Sequence, residues 1–236
     1  MRLDQYLVSN GFTFSRNKAQ EIIKNGYVKV NENIIKKPSF KLLQSDTVEV
    51  LQKERYVSRA AYKLKNYLEK HNLDFKNKTV LDIGSSTGGF TQVALQKGAN
   101  RVVSVDVGDN QLHFTLRDNP KIELYENTDI RGFTYHEKFD VIVSDVSFIS
   151  LLKIINKIDE LAKSDIILLF KPQFEVGKDV KRDKRGVVTD ENAVKNAREN
   201  FEKECDKLGW KLIGSEESSI KGKEGNREYI YHFKKV

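Results

Sequence analysis

Apolar positions recur at helical spacing near the start of the chain: Leu3 and Leu7 predict a helix over Leu3–Asn10, and Ala19 and Ile22 a second over Arg16–Lys24. Ser15 stands where an N-cap belongs, and Gly11 and Gly26 stop the two helices. The period then changes. Tyr27-Val28-Lys29-Val30-Asn31 alternates residue by residue, a turn follows through Glu32 and Asn33, and Asp46-Thr47-Val48-Glu49-Val50 alternates again. Residues 1–51 therefore read as a small α+β unit, and the polar, aperiodic residues 52–58 as a short linker.

From residue 59 to residue 236 helical and strand patterns take turns. Helices are predicted over Arg59–His71, Phe90–Gly98, Gln111–Arg117, Leu151–Ala162 and Glu191–Leu208. Strands are predicted over Thr79–Ile83, Arg101–Val107, Ile122–Tyr125, Phe139–Ser144, Ile166–Phe170, Trp210–Glu216 and Arg227–Phe233. Such alternation builds a Rossmann-like α/β domain, a mostly parallel sheet covered on both faces, with the last two strands as an antiparallel edge. Ligands of such sheets bind beyond the C-terminal ends of the strands.

With 236 residues, 39% of them hydrophobic, the chain can build one ordinary core and one small one. The net charge of +7 favours a polyanionic partner. Residues 1–58 hold ten Lys or Arg against six acids, so +4 of that excess lies in the first quarter. Its bases Arg2, Arg16, Lys18 and Lys24 lie on or beside the two helices and are candidate RNA contacts. The single Cys205 cannot form an internal disulfide. No signal-peptide core and no apolar run of about 18 residues occurs, so the expected location is the cytoplasm, with no membrane partner.

The sharpest local motif is Val80-Leu81-Asp82-Ile83-Gly84-Ser85-Ser86-Thr87-Gly88-Gly89-Phe90. An apolar strand delivers the chain to a glycine turn, where a ligand can approach bare backbone at a helix start. A dinucleotide fingerprint would read Gly-x-Gly-x-x-Gly; the spacing here is Gly-x-x-x-Gly-Gly, which makes a nicotinamide oxidoreductase a poor fit. The acid two residues before the first glycine suits a cationic, amino-acid-bearing ligand better than a pyrophosphate, and S-adenosylmethionine is such a ligand. Asp82, Gly84, Ser85, Gly88, Gly89 and Phe90 are the candidate cradle. Asp106, ending the next strand, can accept two ribose hydroxyls, as it also could in an NAD fold. Asp129 could reach an adenine edge or cap a helix.

Two further predicted strands run into charges, Asp145 in Ser144-Asp145-Val146-Ser147-Phe148 and Lys171 in Phe170-Lys171-Pro172-Gln173-Phe174-Glu175. Pro172 biases Lys171 towards an extended backbone. A structural salt bridge would account for that pair alone, but Lys63 and Glu228 fall where the same fold brings them to the same cleft. Phe148 and Phe174, beside the two strand ends, could stack an extruded base or fill the core. Between Gly177 and Gly186 five bases, Lys178, Lys181, Arg182, Lys184 and Arg185, stand against two acids. This reads as a flexible loop that closes on RNA phosphates, or as an ordinary solvated loop.

The spaced positions Arg2-Leu3-Asp4, Leu7, Gly11, Ser15-Arg16, Ala19, Ile22, Gly26 and Val28 to Asn31 resemble the S4 RNA-binding domain. Ser-Arg-Ala-Ala-Tyr-Lys-Leu, Leu-Asp-Ile-Gly-Ser-Ser-Thr-Gly-Gly-Phe-Thr, Ser-Asp-Val-Ser-Phe-Ile-Ser and Phe-Lys-Pro-Gln-Phe-Glu stand in the order and spacing of the TlyA-type rRNA methyltransferases, in which an S4 domain precedes an FtsJ/RrmJ-like class I methyltransferase domain. The match spans essentially the whole chain. It implies S-adenosylmethionine-dependent 2′-O-methylation of cytidine in ribosomal RNA without a metal, with Lys63, Asp145, Lys171 and Glu228 as the catalytic tetrad. The brief N-terminus resembles the family's shorter form, which is restricted to large-subunit RNA. Ribosomal RNA rather than DNA is then the partner, and Lys171 is either a neutral base or an ammonium that stabilises a developing alkoxide. Rival readings are a non-catalytic RNA-binding assembly factor and, since some members are named haemolysins, a membrane-lytic protein.

Overall fold

The structure, a computed structural model, describes residues 1–13, 15–51 and 56–236. Gln52 to Arg55, most of the expected linker, lie outside the described residues. The rest forms two compact units, Met1–Val57 and Ser58–Val236.

In the first unit α1 (Leu3–Ser9) and α2 (Arg16–Lys24) pack together, and β1 (Val28–Val30), β2 (Asn33–Ile34) and β3 (Val48–Val50) form an antiparallel sheet of order β2-β1-β3. The helix stripe predicted from the sequence is the one buried: Leu3, Leu7, Ala19, Ile22 and Ile23 close on Val28 and Val30. Ser15 caps α2 by accepting from Lys18 N at 3.3 Å. The β1–β2 turn lies at Asn31 and Glu32, with φ of 47° and 67°. Two successive left-handed residues match the right-handed strand twist, and Asn tolerates that backbone better than most residues. The turn therefore comes one residue earlier than the composition suggests.

The second unit holds α3 (Ala60–Lys70), β4 (Thr79–Ile83), α4 (Gly89–Gln96), β5 (Arg101–Val105), α5 (Phe114–Arg117), β6 (Ile122–Tyr125), β7 (Phe139–Ser144), α6 (Ile155–Leu161), β8 (Ala162–Phe170), α7 (Pro172–Glu175), α8 (Glu191–Lys207), β9 (Trp210–Glu217) and β10 (Tyr229–Lys235). Its sheet has the order β6-β5-β4-β7-β8-β10-β9. The first five are parallel, and β10 runs antiparallel to both neighbours. From β4 the chain winds outwards to β5 and β6, then returns to β7 on the other side. This reversal opens a crevice at the C-terminal ends of β4 and β7. Phe139, Phe170, Phe201, Tyr231 and Phe233 anchor the core beneath it, each at most 1% exposed.

α5 starts at Phe114 rather than Gln111, β10 at Tyr229 rather than Arg227, β5 ends at Val105 rather than Val107, and three further elements differ in kind or extent from their sequence pattern. The helix expected over Leu151–Ala162 is a 3₁₀ turn, Leu151–Lys153, followed by α6. Strand β8 starts at Ala162, four residues before the expected Ile166. Its polar opening, Lys163-Ser164-Asp165, is satisfied by neighbours: Lys163 pairs with Asp140 on β7 at 2.8 Å and Asp165 with buried His232 on β10 at 3.0 Å. The short α7 carries no periodic signal. It starts on Pro172, whose fixed φ and missing N–H suit the first helical position.

Candidate active site

The sheet register explains why four distant residues meet. Asp145 follows the C-terminal end of β7, and Lys171 that of the adjacent β8. Because β10 is antiparallel with Tyr229 opposite Phe170, Glu228 enters the sheet beside Lys171. Lys63 reaches in from α3. The four form an alternating chain of charge: Lys171 Nζ lies 2.5 Å from Asp145 Oδ1, Lys63 Nζ 3.8 Å from Asp145 Oδ2, and Lys63 Nζ 2.6 Å from Glu228 Oε2. Lys63, Lys171 and Glu228 are buried and Asp145 nearly so. Lys171 has the extended backbone (φ −116°, ψ 102°) that Pro172 favours.

Two cavities meet at this group. One of about 530 Å³ is lined by Ile83, Gly84, Ser86, Asp106, Asp129, Asp145 and Phe148 among others. A second of about 170 Å³ is lined by Ser58, Gly84, Ser85, Gly89, Phe90 and Lys171 among others. The larger falls in the ~300–1,000 Å³ range of small-molecule sites. Gly84 borders both, with φ +77°; a Cβ there would also stand 3.2 Å from Val146 Cα, so a side chain is excluded twice. Asp106 is fixed by backbone N–H groups of Ser86 at 2.8 Å and Gly108 at 2.7 Å, one on each carboxylate oxygen. A carboxylate so anchored keeps lone pairs for a vicinal diol. Ser85 Oγ is buried without a partner among the described residues, an open polar group beside the glycine turn. The residues present fit an adenosyl cofactor.

Some candidates stand elsewhere. Asp82 lines neither cavity: it is fully buried, accepts from Thr91 Oγ1 at 2.6 Å, and burial pushes its carboxyl up to about 7, against that hydrogen bond and with help from the Asp145 charge. It supports the turn from below. Gly88 faces Leu112 and Leu116, so its missing side chain serves packing. Asp129 does both things the sequence allowed, capping the 3₁₀ turn Ile130–Gly132 while lining the larger cavity; its ion pair with Arg131 holds it below the usual carboxylate range. Phe148 is 92% exposed, so it is not core, and it takes a left-handed φ of 65°. Its ring lies 5.3 Å from that of Phe174.

The basic segment is not a plain loop. Arg182 bridges to Val188, Asp183 N donates to Val187 O at 2.8 Å, and Thr189 N to Lys181 O at 3.1 Å, making a small hairpin. Buried Asn226 braces it, accepting from Val188 N at 3.0 Å and donating to Gly186 O at 3.4 Å. Lys178, Lys181, Lys184 and Arg185 remain exposed. In the first unit Arg2 and Arg16 both donate to buried Asp4, whose carboxyl is held well below its ordinary value chiefly by the Arg2 guanidinium. Lys18 pairs with Glu21 at 2.9 Å, and Lys24 is exposed at the end of α2.

Sequence reasoning missed several supporting residues. Ser147 accepts from Lys171 Nζ at 2.8 Å. Glu175 ties α7 to the segment after β7, accepting from Ser150 Oγ at 2.6 Å and Leu151 N at 2.8 Å; burial raises its carboxyl and these bonds oppose the rise. Gly222 lies against the Glu228 carboxylate, where a Cβ would stand 2.7 Å from Oε1. Ser147 was visible two residues after Asp145. Nothing in the spacing points to Gly222.

A seven-stranded sheet with one inserted antiparallel strand, a glycine turn at its switch point and a carboxylate at the end of the next strand define a Rossmann-like methyltransferase fold. The family model for FtsJ-like methyltransferases matches residues 56–235, and that for the S4 domain residues 1–48. The chain is 51% identical to the 23S rRNA (cytidine-2′-O)-methyltransferase TlyA of Campylobacter jejuni, over 99% of both chains. It is 36% identical to the 16S/23S rRNA (cytidine-2′-O)-methyltransferase TlyA of Mycobacterium tuberculosis, over 97% of this chain and 88% of that one. A solved structure from Streptococcus thermophilus, described as a hemolysin, superposes with a TM-score of 0.76 at 31% identity, covering 100% of this chain and 88% of the other. The chain belongs to the FtsJ-like methyltransferase family, carrying an S4 domain at its N-terminus.

Proposed function

We propose that this enzyme methylates the ribose 2′-hydroxyl of a cytidine in ribosomal RNA, that of the large subunit, with S-adenosylmethionine as donor. The observation that carries the reading is the buried chain Lys171, Asp145, Lys63, Glu228 beside the Gly84 cavity. Large-subunit RNA is preferred because the Campylobacter relative, named for 23S rRNA, shares 51% of positions, against 36% for the Mycobacterium relative named for both subunits. When bound, the donor supplies a methyl group made electrophilic by its sulfonium. Gly84, Ser85 and Asp106 would hold it. Among the described residues no helix is long and apolar enough to cross a membrane, so nothing there favours the lytic reading suggested by relatives' names.

The chain's own task is to align and deprotonate a weak nucleophile. Lys171 either takes the proton of the 2′-hydroxyl or stabilises the negative charge that develops on the 2′-oxygen, Asp145 orients Lys171, and Lys63 with Glu228 fixes Asp145 from the other side. Phe148, exposed at the larger cavity and backed by Phe174, offers a ring for an unstacked base. The exposed bases of α2 and of the 181–188 hairpin supply phosphate contacts. In single-turnover methylation of an rRNA fragment, Lys171→Ala is expected to lose at least about 10²-fold in rate while calorimetric cofactor affinity stays within a few fold. Asp106→Ala should weaken the cofactor first. A folded Lys171→Ala enzyme working near the wild-type rate would remove this site from the reaction.

A further inference from the structure

Lys171 Nζ faces three protein oxygens: Asp145 Oδ1 at 2.5 Å, Ser147 Oγ at 2.8 Å and the Asp145 carbonyl at 3.4 Å. An ammonium has three donors and no acceptor; Ser147 Oγ takes one at close range, Asp145 Oδ1 faces the nitrogen as an ion pair and the carbonyl lies at the limit of hydrogen-bond length, so the serine bond steers Nζ and still leaves a donor for substrate. The Asp145 carboxylate also serves Lys63, and the Asp145 backbone is held by its own N–H, which donates to Ile83 O at 3.2 Å. Of the two side chains among these contacts, Ser147 is the uncharged one. It also lines both cavities, so the oxygen that steers Lys171 stands on the wall they share.

Its place is built. Immediately after Ser147 the chain turns through the left-handed Phe148, a strained backbone for a non-glycine residue. The same segment is then fastened by Glu175, through Ser150 and Leu151, to α7, the helix that begins directly after Lys171. The loop that carries Ser147 and the strand end that carries Lys171 are thus clamped as one piece. The other charged groups around Lys171 are Asp145 after β7, Lys63 from α3 and Glu228 entering β10.

We infer that Ser147 is a positioning residue for methyl transfer: its hydroxyl, by accepting from Lys171, holds that nitrogen at the boundary of the two cavities in the orientation the reaction needs. This rests on the reading of Lys171 as the residue that acts on the 2′-hydroxyl. Losing one hydrogen bond to a charged group predicts a fall in kcat of about tenfold to a hundredfold.

The test compares the wild-type chain with Ser147→Ala, Ser147→Cys and Ser147→Thr in methylation of an rRNA fragment across pH, with calorimetric S-adenosylmethionine binding and thermal melts. Expected for Ala and Cys are the lowered kcat, a displaced pH–rate profile, and RNA KM and cofactor affinity within about threefold of wild type. Thr, which keeps the hydroxyl, should restore most of the rate. Ala or Cys enzyme that is folded, with wild-type kcat and an unmoved profile, overturns the inference; so does Thr as impaired as Ala, which would assign the effect to loop packing. If Ala lowers the melting temperature, the Cys variant, close to serine in size, decides alone. A wild-type chain that transfers no methyl group to RNA would instead sink the proposed function, and that control separates the two failures.

Discussion

Gly222→Ala separates the chemistry of this cleft from the stability of the fold. Gly222 has no left-handed φ, so alanine meets no backbone strain there, but its Cβ would lie 2.7 Å from Glu228 Oε1. Ordinary contact begins near 3.4 Å, so the carboxylate must retreat by about 0.7 Å. Glu228 is bound on its other oxygen to Lys63 Nζ at 2.6 Å. A retreat wholly along that pair would lengthen it to about 3.3 Å, and at an effective dielectric near 20 the attraction falls by about 1.4 kcal/mol, a factor of roughly ten. The displaced atom is the free end of a side chain, so melting should change by no more than a few degrees. Positional errors approaching 1 Å in a catalytic group cost up to about 10²-fold. Single-turnover methylation should therefore slow by about tenfold to a hundredfold, with cofactor binding unchanged because Gly84 and Asp106 are untouched. A folded Gly222→Ala enzyme at the wild-type rate would show that Glu228 needs no fixed position, and the role given to the Lys63–Glu228 pair would fail with it.

Asp82, with a folded-state value near 7 against an ordinary 3.8, keeps its proton on folding. A raised carboxyl contributes stability that is full below about pH 4 and lost as pH rises to 7, up to about 4 kcal/mol over that window. Urea midpoints of Asp82→Asn relative to wild type should rise steadily from pH 4 to 7; a pH-independent difference would mean the wild-type carboxyl is ionised throughout. On the first unit, Lys24→Glu should weaken rRNA-fragment binding and flatten its salt dependence by about one unit of log K per log salt, with cofactor affinity unchanged. An unaltered slope would remove Lys24 from the RNA face.

The sequence exposed strand ends better than it exposed what surrounds them. Asp145 and Lys171 were legible because each closes an apolar run, and a charge at the C-terminal end of a buried strand has few structural reasons to be there. Glu228 was legible only with its strand; the pairing of β10 against β8 that sets it beside Lys171 is a register, and register is not written in local spacing. The start of β8 was hidden because Lys163 and Asp165 look like loop residues until their partners on β7 and β10 are known. The segment from Gly177 to Gly186 reads as flexible from its glycines and charges. Its order comes from Asn226, about forty residues away, and no window short enough to show periodicity contains both. Asp82 reads as a ligand contact because motif position says which residues are near a turn, not which face of the strand they occupy.

Buried ion pairs make a poor case for stability, and that helps to assign the tetrad. Taking two charges out of water costs several kcal/mol each, and packed apolar residues of similar volume often serve folding as well or better. Here two lysines and two carboxylates sit in alternation at the end of a sheet whose neighbouring positions, Phe170 and Tyr229, are aromatic and already closely packed. Apolar residues at all four positions would extend that core without a desolvation cost. The alternation sets each lysine against a carboxylate, so each member is held by the next, and that is the condition for keeping such a group fixed at a cavity wall. A fold that needed only cohesion would have no use for this arrangement. Under the proposed function, a site that grips a hydroxyl oxygen and manages one proton beside a sulfonium needs charges whose positions do not relax when the proton moves.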